Sequence, residues 1–337
     1  MSERGERVGV VVVIVNYRTA DLAGECVRSL EGEVAALPGT RVVVVDNASG
    51  NGSVGKIQKT LNQMGGPDWA AIMPLNRNGG FAFGNNAAVR QAMSDPADPE
   101  FFLLLNPDTV VRAGALTALV DFMRTHPRAG IAGSRLEDPD GTPHCTAHRR
   151  FTPLSELDGG ARLGLLSRLL RRHAVSPPIR DQAHPCDWVS GAAMIVRRNV
   201  FETVGLLDEN YFLYFDEVDF CYRAKQHDWQ VWYLPQSRIV HLEGSATQIR
   251  STHARRQPYW YASRRRFFLK AYGLTGLIAA DAMWLTGRLA LALCRLCRLS
   301  GSRNDDPAWF TFDLIWGDTK SILSGQAVHI GRREKLR

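Results

Sequence analysis

A chain of 337 residues that is 45% hydrophobic and 22% charged can fill a sizeable core, which excludes a disordered or low-complexity protein. Its formal net charge of +7 points to an anionic partner (nucleotide, lipid head group or nucleic acid) without choosing among them. Six cysteines without paired knuckles argue against a structural zinc site and for free thiols in a reducing compartment.

The opening MSERGERVGVVVVIVNY has an apolar run only over 8–15, and no small residues suited to cleavage follow it. It is expected to be a buried first strand rather than a secretion signal. Asp21 is expected to cap a helix through 22–30. A second strand, 41–45, stops at Asp46-Asn47-Ala48-Ser49, and a helix over 54–64 follows. Residues 69–74 read as a short third strand. Asn76-Arg77-Asn78-Gly79-Gly80-Phe81 then opens a helix to about 93. The fourth strand, 101–105, runs straight into Asn106-Pro107-Asp108, and the next helix covers 113–126. This β-α rhythm predicts a parallel sheet with helices on both faces.

Past that point the pattern weakens. Residues 134–187 are rich in Pro and Arg, with a basic helical patch over 162–172, and read as an irregular, partly mobile loop region over the site. A strand over 188–196, a helix near 199–204 and a turn at Gly205 restore regularity. The aromatic run 211–215 leads into Asp216-Glu217-Val218-Asp219, which opens a helix to about 227. Two last short strands fall at 229–234 and 238–241. The tail, 267–299, is helical in pattern. Asp281, Arg288 and Arg295 share one stripe, and Leu285, Leu289, Leu293 and Leu296 lie to another side. The charges make it a poor spanning segment, and it is expected to lie on a membrane surface or dock on a partner, with packing on the protein's own core as the alternative.

The polar clusters fall at strand ends: Asn16-Tyr17, Asp46-Asn47, Asn78-Gly79-Gly80-Phe81 and Asn106-Pro107-Asp108. In an open α/β sheet, ligands bind beyond the carboxyl edge of the strands. Asp46 can accept from a pyrimidine imide N–H or a ribose hydroxyl, or simply form a turn with Asn47. The glycine pair can bring backbone N–H groups to a phosphate or ribose at a helix start. Asp108 is either a turn cap or a ligand to Mg2+ or Mn2+. Manganese also accepts imidazole, so His241 is a candidate second ligand. Asp216, Glu217 and Asp219 crowd one another, which either raises a carboxyl toward the range of a general base or merely serves the helix dipole.

Together, IVNYRTADLAGECVRSL, VVVVDNASGNGS, NRNGGFAFGNNAAVRQA, LLLNPDTVV, WVSGAAMIVRRNVFETVGLLDENYFLYFDEVDFCYRA and IVHLEGSAT resemble the GT-A-fold, inverting glycosyltransferases of family 2, close to their rhamnosyltransferase-like branch. The resemblance implies an α/β GT-A fold: a mixed, mainly parallel sheet with helices on both faces and a C-terminal helical tail. It implies a glycosyltransferase domain over 1–247, with a nucleotide-binding half at 1–112 and an acceptor-side half at 113–247. Beyond the stretches that carry the resemblance, the pattern of the tail makes 248–337 an expected helical, membrane-associating region.

For individual residues it implies that Asn16, Tyr17, Asp46, Asn78, Gly79, Gly80 and Phe81 serve the nucleotide. Asn106-Pro107-Asp108 stands for the family's Asp-x-Asp, with Asn in place of the first Asp, so Asp108 is the remaining carboxylate ligand and His241 joins it. Trp188, Gly191 and Ala192 line the donor-sugar pocket. The family's Glu-Asp-x-Asp appears as Asp216-Glu217-Val218-Asp219, which puts the base on Glu217 with Asp216 as its rival. The expected donor is a dTDP- or UDP-linked sugar such as rhamnose, the cofactor Mg2+ or Mn2+, and the acceptor a glycan or lipid-linked intermediate. No nucleic-acid partner is expected, and the location is cytoplasmic, peripheral on the inner membrane face. Two other classes stay open: a sugar nucleotidyltransferase, which usually opens with a glycine-rich phosphate loop absent from 10–20, and a non-catalytic nucleotide-binding scaffold, which would bind without turnover.

Overall fold

The computed structural model describes residues 9–94, 99–242, 254–297 and 306–326. The chain packs as two units. The first comprises 1–148, 178–212 and 216–247; the second comprises 149–177, 213–215 and 248–337.

The first unit is built on β1 (Val10–Asn16), whose seven residues are all buried. Val10, Val12 and Ile14 enter one apolar layer, and Val11, Val13 and Val15 the other. That alternation places it inside a sheet covered on both sides. Helices α1 (Ala20–Ser29) and α2 (Glu31–Ala36), then β2 (Arg41–Asp46), α3 (Ser53–Gln63), β3 (Ala70–Pro74), α4 (Phe81–Met93), β4 (Phe101–Leu105), β5 (Thr109–Val111) and α5 (Ala115–Thr125) complete the first half. Next come β6 (Ala129–Glu137), β7 (Ala147–His148), β8 (His184–Cys186), β9 (Trp188–Val189), β10 (Ala193–Arg197), α8 (Arg198–Val204), α9 (Asp216–Gln226) and β11 (Gln230–His241).

Among the described residues the main sheet has nine strands, in the order β3-β2-β1-β4-β10-β6-β11-β5 with β8 on β11. Strands β1 to β4 are mutually parallel, with Asn16 opposite Asp46 and Ile14 opposite Leu105. Strand β10 runs antiparallel to both β4 and β6, and β5 antiparallel to β11. The sheet is therefore mixed, as the resemblance implied, with six of its nine described strands running in one direction.

Several expected elements come out differently. Helix α1 starts at Ala20, so Asp21 sits in its first turn instead of capping it; the N-cap residue is Thr19. The Thr19 backbone N–H and its hydroxyl both donate to Asn16 Oδ1. The stretch 134–187 is a loop region only in part, since it carries the end of β6, together with β7, β8 and two helices. It begins inside β6, a strand that Gly130 and Gly133 hide from a propensity reading. Both glycines are needed, since a Cβ on Gly133 would lie 2.5 Å from Val189 Cβ and one on Gly130 2.7 Å from Val200 Cγ2. The expected strand over 188–196 splits at Ser190-Gly191-Ala192 into β9, which pairs with β7, and β10. The two expected last strands are one, β11, with a register shift between Leu234 and Arg238.

The second unit carries α6 (Pro153–Ala161) and α7 (Gly164–Leu169), then α10 (Pro258–Leu296) and α11 (Phe310–Leu323). A capping box starts α6: Ser155 N donates to Thr152 Oγ1, and Thr152 N donates to Ser155 Oγ. Helix α10 begins nine residues before the expected start and is broken at Gly273 (φ 69°, ψ −171°). Positions 298 and 299 of the expected tail helix lie outside the described residues. Helix α6 packs closely on α10 because Gly160 and Gly287 leave no side chain between them; a Cβ on Gly160 would stand 2.6 Å from Trp284 O. Arg264, fully buried, donates to Glu156, Asp281 and Asp318 at 2.8, 2.9 and 3.1 Å, and Arg265 meets Asp318 at 2.6 Å. Removing Arg264 would take the described cation from Glu156 and Asp281 and leave Asp318 with Arg265 alone, at a cost of about 3–5 kcal/mol.

Candidate active site

The carboxyl edge of β1, β2 and β4 gathers the polar side chains. Asp46 ends β2 and is buried. Its Oδ1 accepts from Asn16 Nδ2 at 2.7 Å and from Ser49 Oγ at 2.6 Å, and its Oδ2 from Ser49 N at 3.0 Å. Three of about four acceptor positions on the carboxylate are thus filled from within the chain, leaving one on Oδ2. Tyr17 is exposed beside them, with the Arg18 guanidinium 5.1 Å from its ring centroid.

Asn47 ties this corner to the start of α4. Its Nδ2 donates to Asn78 Oδ1 at 3.0 Å and to Gly80 O at 2.9 Å. Gly80 has φ 90° and ψ −175°, a conformation close to glycine-only, and a Cβ there would lie 2.0 Å from Phe212 O. The Gly80 amide donates to Asn78 Oδ1, and the Phe81 amide to Phe212 O at 2.9 Å. Two of the N–H groups expected to face a phosphate therefore have partners inside the chain. The Phe81 amide holds the 205–212 loop in place, and Asn86, bonded to both Leu207 N and Leu207 O, reinforces it. Gly79 has no room for a side chain either, because a Cβ would press on the Phe83 ring at 2.4 Å.

Beyond β4 the chain turns at Asn106-Pro107-Asp108 and reverses into β5. Asn106 N donates to Ala192 O at 2.9 Å, which fixes this turn to the Ser190-Gly191-Ala192 link. Asp108 O accepts from Leu242 N, so the turn is also fixed to the end of β11. There His241 Nε2 approaches Asp108 Oδ1 to 3.3 Å, from strands where His241 pairs with Thr109. That Asp108 oxygen is shielded from solvent and accepts no hydrogen bond. A carboxylate oxygen left so, next to an imidazole nitrogen, suits a divalent cation whose other ligands are substrate oxygens. Among the described residues no group of three or more His, Cys, Asp or Glu side chains forms a closed metal centre. The donor set thus fits an open site with two protein ligands.

The acidic cluster stands at the N-terminus of α9. Tyr214 and Phe215, directly before it, both have positive φ (66° and 64°), strained values for aromatic residues. Asp216 is buried, with Oδ2 making no hydrogen bond, and its carboxyl interacts with that of Glu217. Burial first, then the neighbouring Glu217 charge, raises the Asp216 pKa well above the ordinary carboxyl range; burial also raises that of Glu217. Glu217 is the less buried of the two, which favours its ionised form over that of Asp216. Its side chain runs along Gly191, where a Cβ would stand 3.4 Å from Glu217 Cβ and 3.6 Å from the Phe81 ring. Glu217, Gly191 and Phe81 therefore share one wall. Asp219 is occupied otherwise: Arg223 Nε donates to it at 2.8 Å and Tyr211 OH at 3.3 Å. Trp188 stacks on His148 with ring centroids 4.0 Å apart.

Asn86 escaped the sequence reading, and Asn47 and Ser49 entered it only as part of the turn after the second strand. The signal for Asn86 was a pair of adjacent carboxamides inside a helical pattern, which surface placement would not require.

Comparisons with known proteins follow this geometry. A family model described as "Glycosyltransferase like family 2" matches residues 6–261. The N-acetylglucosaminyl-diphospho-decaprenol L-rhamnosyltransferase of Mycobacterium tuberculosis is 27% identical over 218 residues, 61% of this chain and 67% of that protein. A low-salt glycan biosynthesis hexosyltransferase of Haloferax volcanii is 27% identical over 217 residues, 64% of this chain and 62% of that one. Among solved structures, a mannosyltransferase of Pyrobaculum calidifontis in complex with GDP-Man and Mn2+ is similar with a TM-score of 0.55 at 16% identity, over 98% of this chain and 88% of that one. GalNAc-T7 with UDP, GalNAc and Mn2+ gives 0.56 at 13%, over 94% and 58%. At these identities the structural likeness is one of fold.

Proposed function

The chain belongs to glycosyltransferase-like family 2, and from that premise we propose a metal-dependent, inverting transfer of a sugar from a nucleoside-diphosphate donor to a hydroxyl of a lipid-linked or polysaccharide acceptor. The observation that carries the proposal is the meeting of Asp108 Oδ1 and His241 Nε2 at the sheet edge that also holds Asn16 and Asp46. We take the sugar to be a hexose or 6-deoxyhexose such as rhamnose, linked to dTDP or UDP; the rhamnosyl- and hexosyltransferase relatives support this choice. The decaprenol-linked acceptor in the name of the mycobacterial relative supports a lipid-linked acceptor, and with it a peripheral place on the inner membrane face.

Asp108 and His241 would hold Mg2+ or Mn2+, which supplies neutralisation of the charge that grows on the departing diphosphate. Asp46 offers its one remaining acceptor position to the nucleoside. Glu217 takes the proton of the attacking hydroxyl as the new glycosidic bond forms and the bond to the diphosphate breaks, its electron pair leaving with the phosphate oxygen. Asp216 retains its proton throughout and donates toward Glu217, holding that carboxylate in place. Attack opposite the leaving group inverts the anomeric carbon, and one base suffices because no covalent intermediate forms.

A thermal-shift panel of nucleotide sugars with Mn2+, Mg2+ or chelator tests the reading. One donor class should raise the melting temperature selectively and only with metal, by mass action worth about 2.7 kcal/mol at a hundredfold excess over Kd. Asp108→Ala should abolish that response. A panel without any selective shift, or undiminished metal dependence in Asp108→Ala, would refute the proposal.

A further inference from the structure

In the second unit α10 and α11 are amphipathic with the usual polarity reversed. Along α10, Ile278, Leu285, Leu289, Leu293 and Leu296 recur at helical spacing on one stripe and are between 43% and 81% exposed. Every exposed residue from 275 to 297 is uncharged. Two of the three charges of this segment point the other way: Asp281 meets Arg264 at 2.9 Å, and Arg288 meets Asp306 at 2.9 Å. The second helix repeats the pattern. Asp318 and Leu314 are buried, whereas Trp309, Phe312, Trp316 and Leu323, again on one stripe, are between 54% and 83% exposed. Trp309, Phe312 and Trp316 form a continuous aromatic ladder on the outside, with centroid separations of 5.9 and 6.3 Å.

A water-facing helix surface normally carries the charge, and exposed apolar stripes of this length mark an interaction site. The partner is indicated by the residues that accompany the stripes. Lys320 is exposed on α11, and in the sequence Arg298 and Arg303 follow α10 and Arg332, Arg333, Lys335 and Arg337 follow α11, with Glu334 as the sole acid among those last positions. Uncharged aliphatic and Trp-rich stripes in a basic stretch of sequence complement an anionic bilayer surface, where aromatic rings sit at head-group depth and basic residues meet lipid phosphates. By length and composition alone α10 could also cross a membrane. Against crossing stands the inward face: an ion-paired Asp281 and Arg288 and the close packing of Gly287 on α6 leave only one side of the helix for lipid.

We propose that α10 (from residue 275) and α11 form a monotopic docking surface that lies in the interface of anionic membranes, with Trp309, Phe312 and Trp316 as its aromatic anchors. This deepens the peripheral placement proposed above, and its test is separable from the test of sugar transfer.

The full-length protein is mixed with vesicles of phosphatidylcholine alone or with a third of phosphatidylglycerol, and binding is read by co-sedimentation. The wild type should bind the anionic vesicles, with affinity falling as salt rises. The triple variant Trp309→Ser, Phe312→Ser, Trp316→Ser should bind at least about tenfold more weakly, and so should Leu289→Ser with Leu293→Ser. All these positions are exposed, so melting temperature and the metal-dependent response to nucleotide sugars should be unchanged in the variants. Wild-type protein that stays in the supernatant with anionic vesicles, or variants that bind as the wild type does, would overturn the proposal. A protein that is dimeric by light scattering and turned monomeric by the same substitutions would overturn it too, by assigning the stripes to a second copy of the chain.

Discussion

Replacing Gly80 by alanine probes the junction on which the candidate site depends. Two separable effects add there. The first is conformational: φ 90° with ψ −175° is a region that residues with a Cβ avoid, worth about 1–3 kcal/mol. The second is steric. The new methyl would stand 2.0 Å from Phe212 O, so the two backbones must part and the 2.9 Å bond from Phe81 N to Phe212 O is lost, roughly another 1 kcal/mol. Gly52 supplies the control. It also has positive φ, 80°, but no atom lies within 4 Å of where its Cβ would be, so Gly52→Ala carries conformational cost alone, about 1 kcal/mol. Urea denaturation of both variants, compared at unchanged m, should show Gly80→Ala less stable than Gly52→Ala by at least about 1–2 kcal/mol. Nucleotide-sugar affinity should fall only in the former, because parting 80–81 from 212 also shifts the wall shared with Glu217. If Gly80→Ala is no less stable than Gly52→Ala, the contact with Phe212 does not hold the loop and the reasoning fails.

Two further outcomes follow from the carboxyl groups. Glu217→Gln should retain donor binding and lose about 10²- to 10⁴-fold in kcat, whereas Asp216→Asn, whose amide replaces the donated proton, should stay within about tenfold of the wild type; steady-state kinetics giving the reverse order would move the base to Asp216. In the second unit, three carboxylates (Glu156, Asp281 and Asp318) face two guanidiniums, and burial raises Asp281 from 3.8 to about 7. The folded state then holds a proton that the unfolded state releases. The contribution of this group to stability is therefore full below about pH 4 and is lost as pH rises to about 7, by up to ~4 kcal/mol at ~1.4 kcal/mol per pH unit. Asp281→Asn should flatten that interval in denaturation curves taken from pH 4 to 8, and an unchanged slope would show that the surplus proton rests elsewhere.

Much of the fold was legible because its strands are extreme. VVVVIV and FFLLL admit few readings other than a strand buried on both faces, and the residues that end them are those the structure brings to one edge. The carboxylate and imidazole of Asp108 and His241, 133 positions apart, were paired by family resemblance, because spacing carries no register between β5 and β11. What escaped was set by packing. AGIAGSRLE holds two glycines, a serine and a buried Glu137, and it is a strand only because Val189 and Val200 need the space that Gly133 and Gly130 leave. The reversal of β10 was equally hidden, since a five-residue apolar run has no direction until its neighbours are known. The inward charges of α10 could be located on a helical wheel, but their ion pairs with Arg264 and Asp306 lie 17 and 18 positions away.

The triple bonding of Asp46 bears on how variants of this enzyme should be scored. A carboxylate that joins Asn16 to the 47–49 turn supports the scaffold whether or not a nucleoside is present. A screen that reads only product will therefore count every substitution there as a recognition defect, although part of the loss comes from unfolded molecules. Yield of soluble protein, measured beside turnover, separates the two. A change in base preference is better sought among side chains that face the carboxylate than at the carboxylate itself.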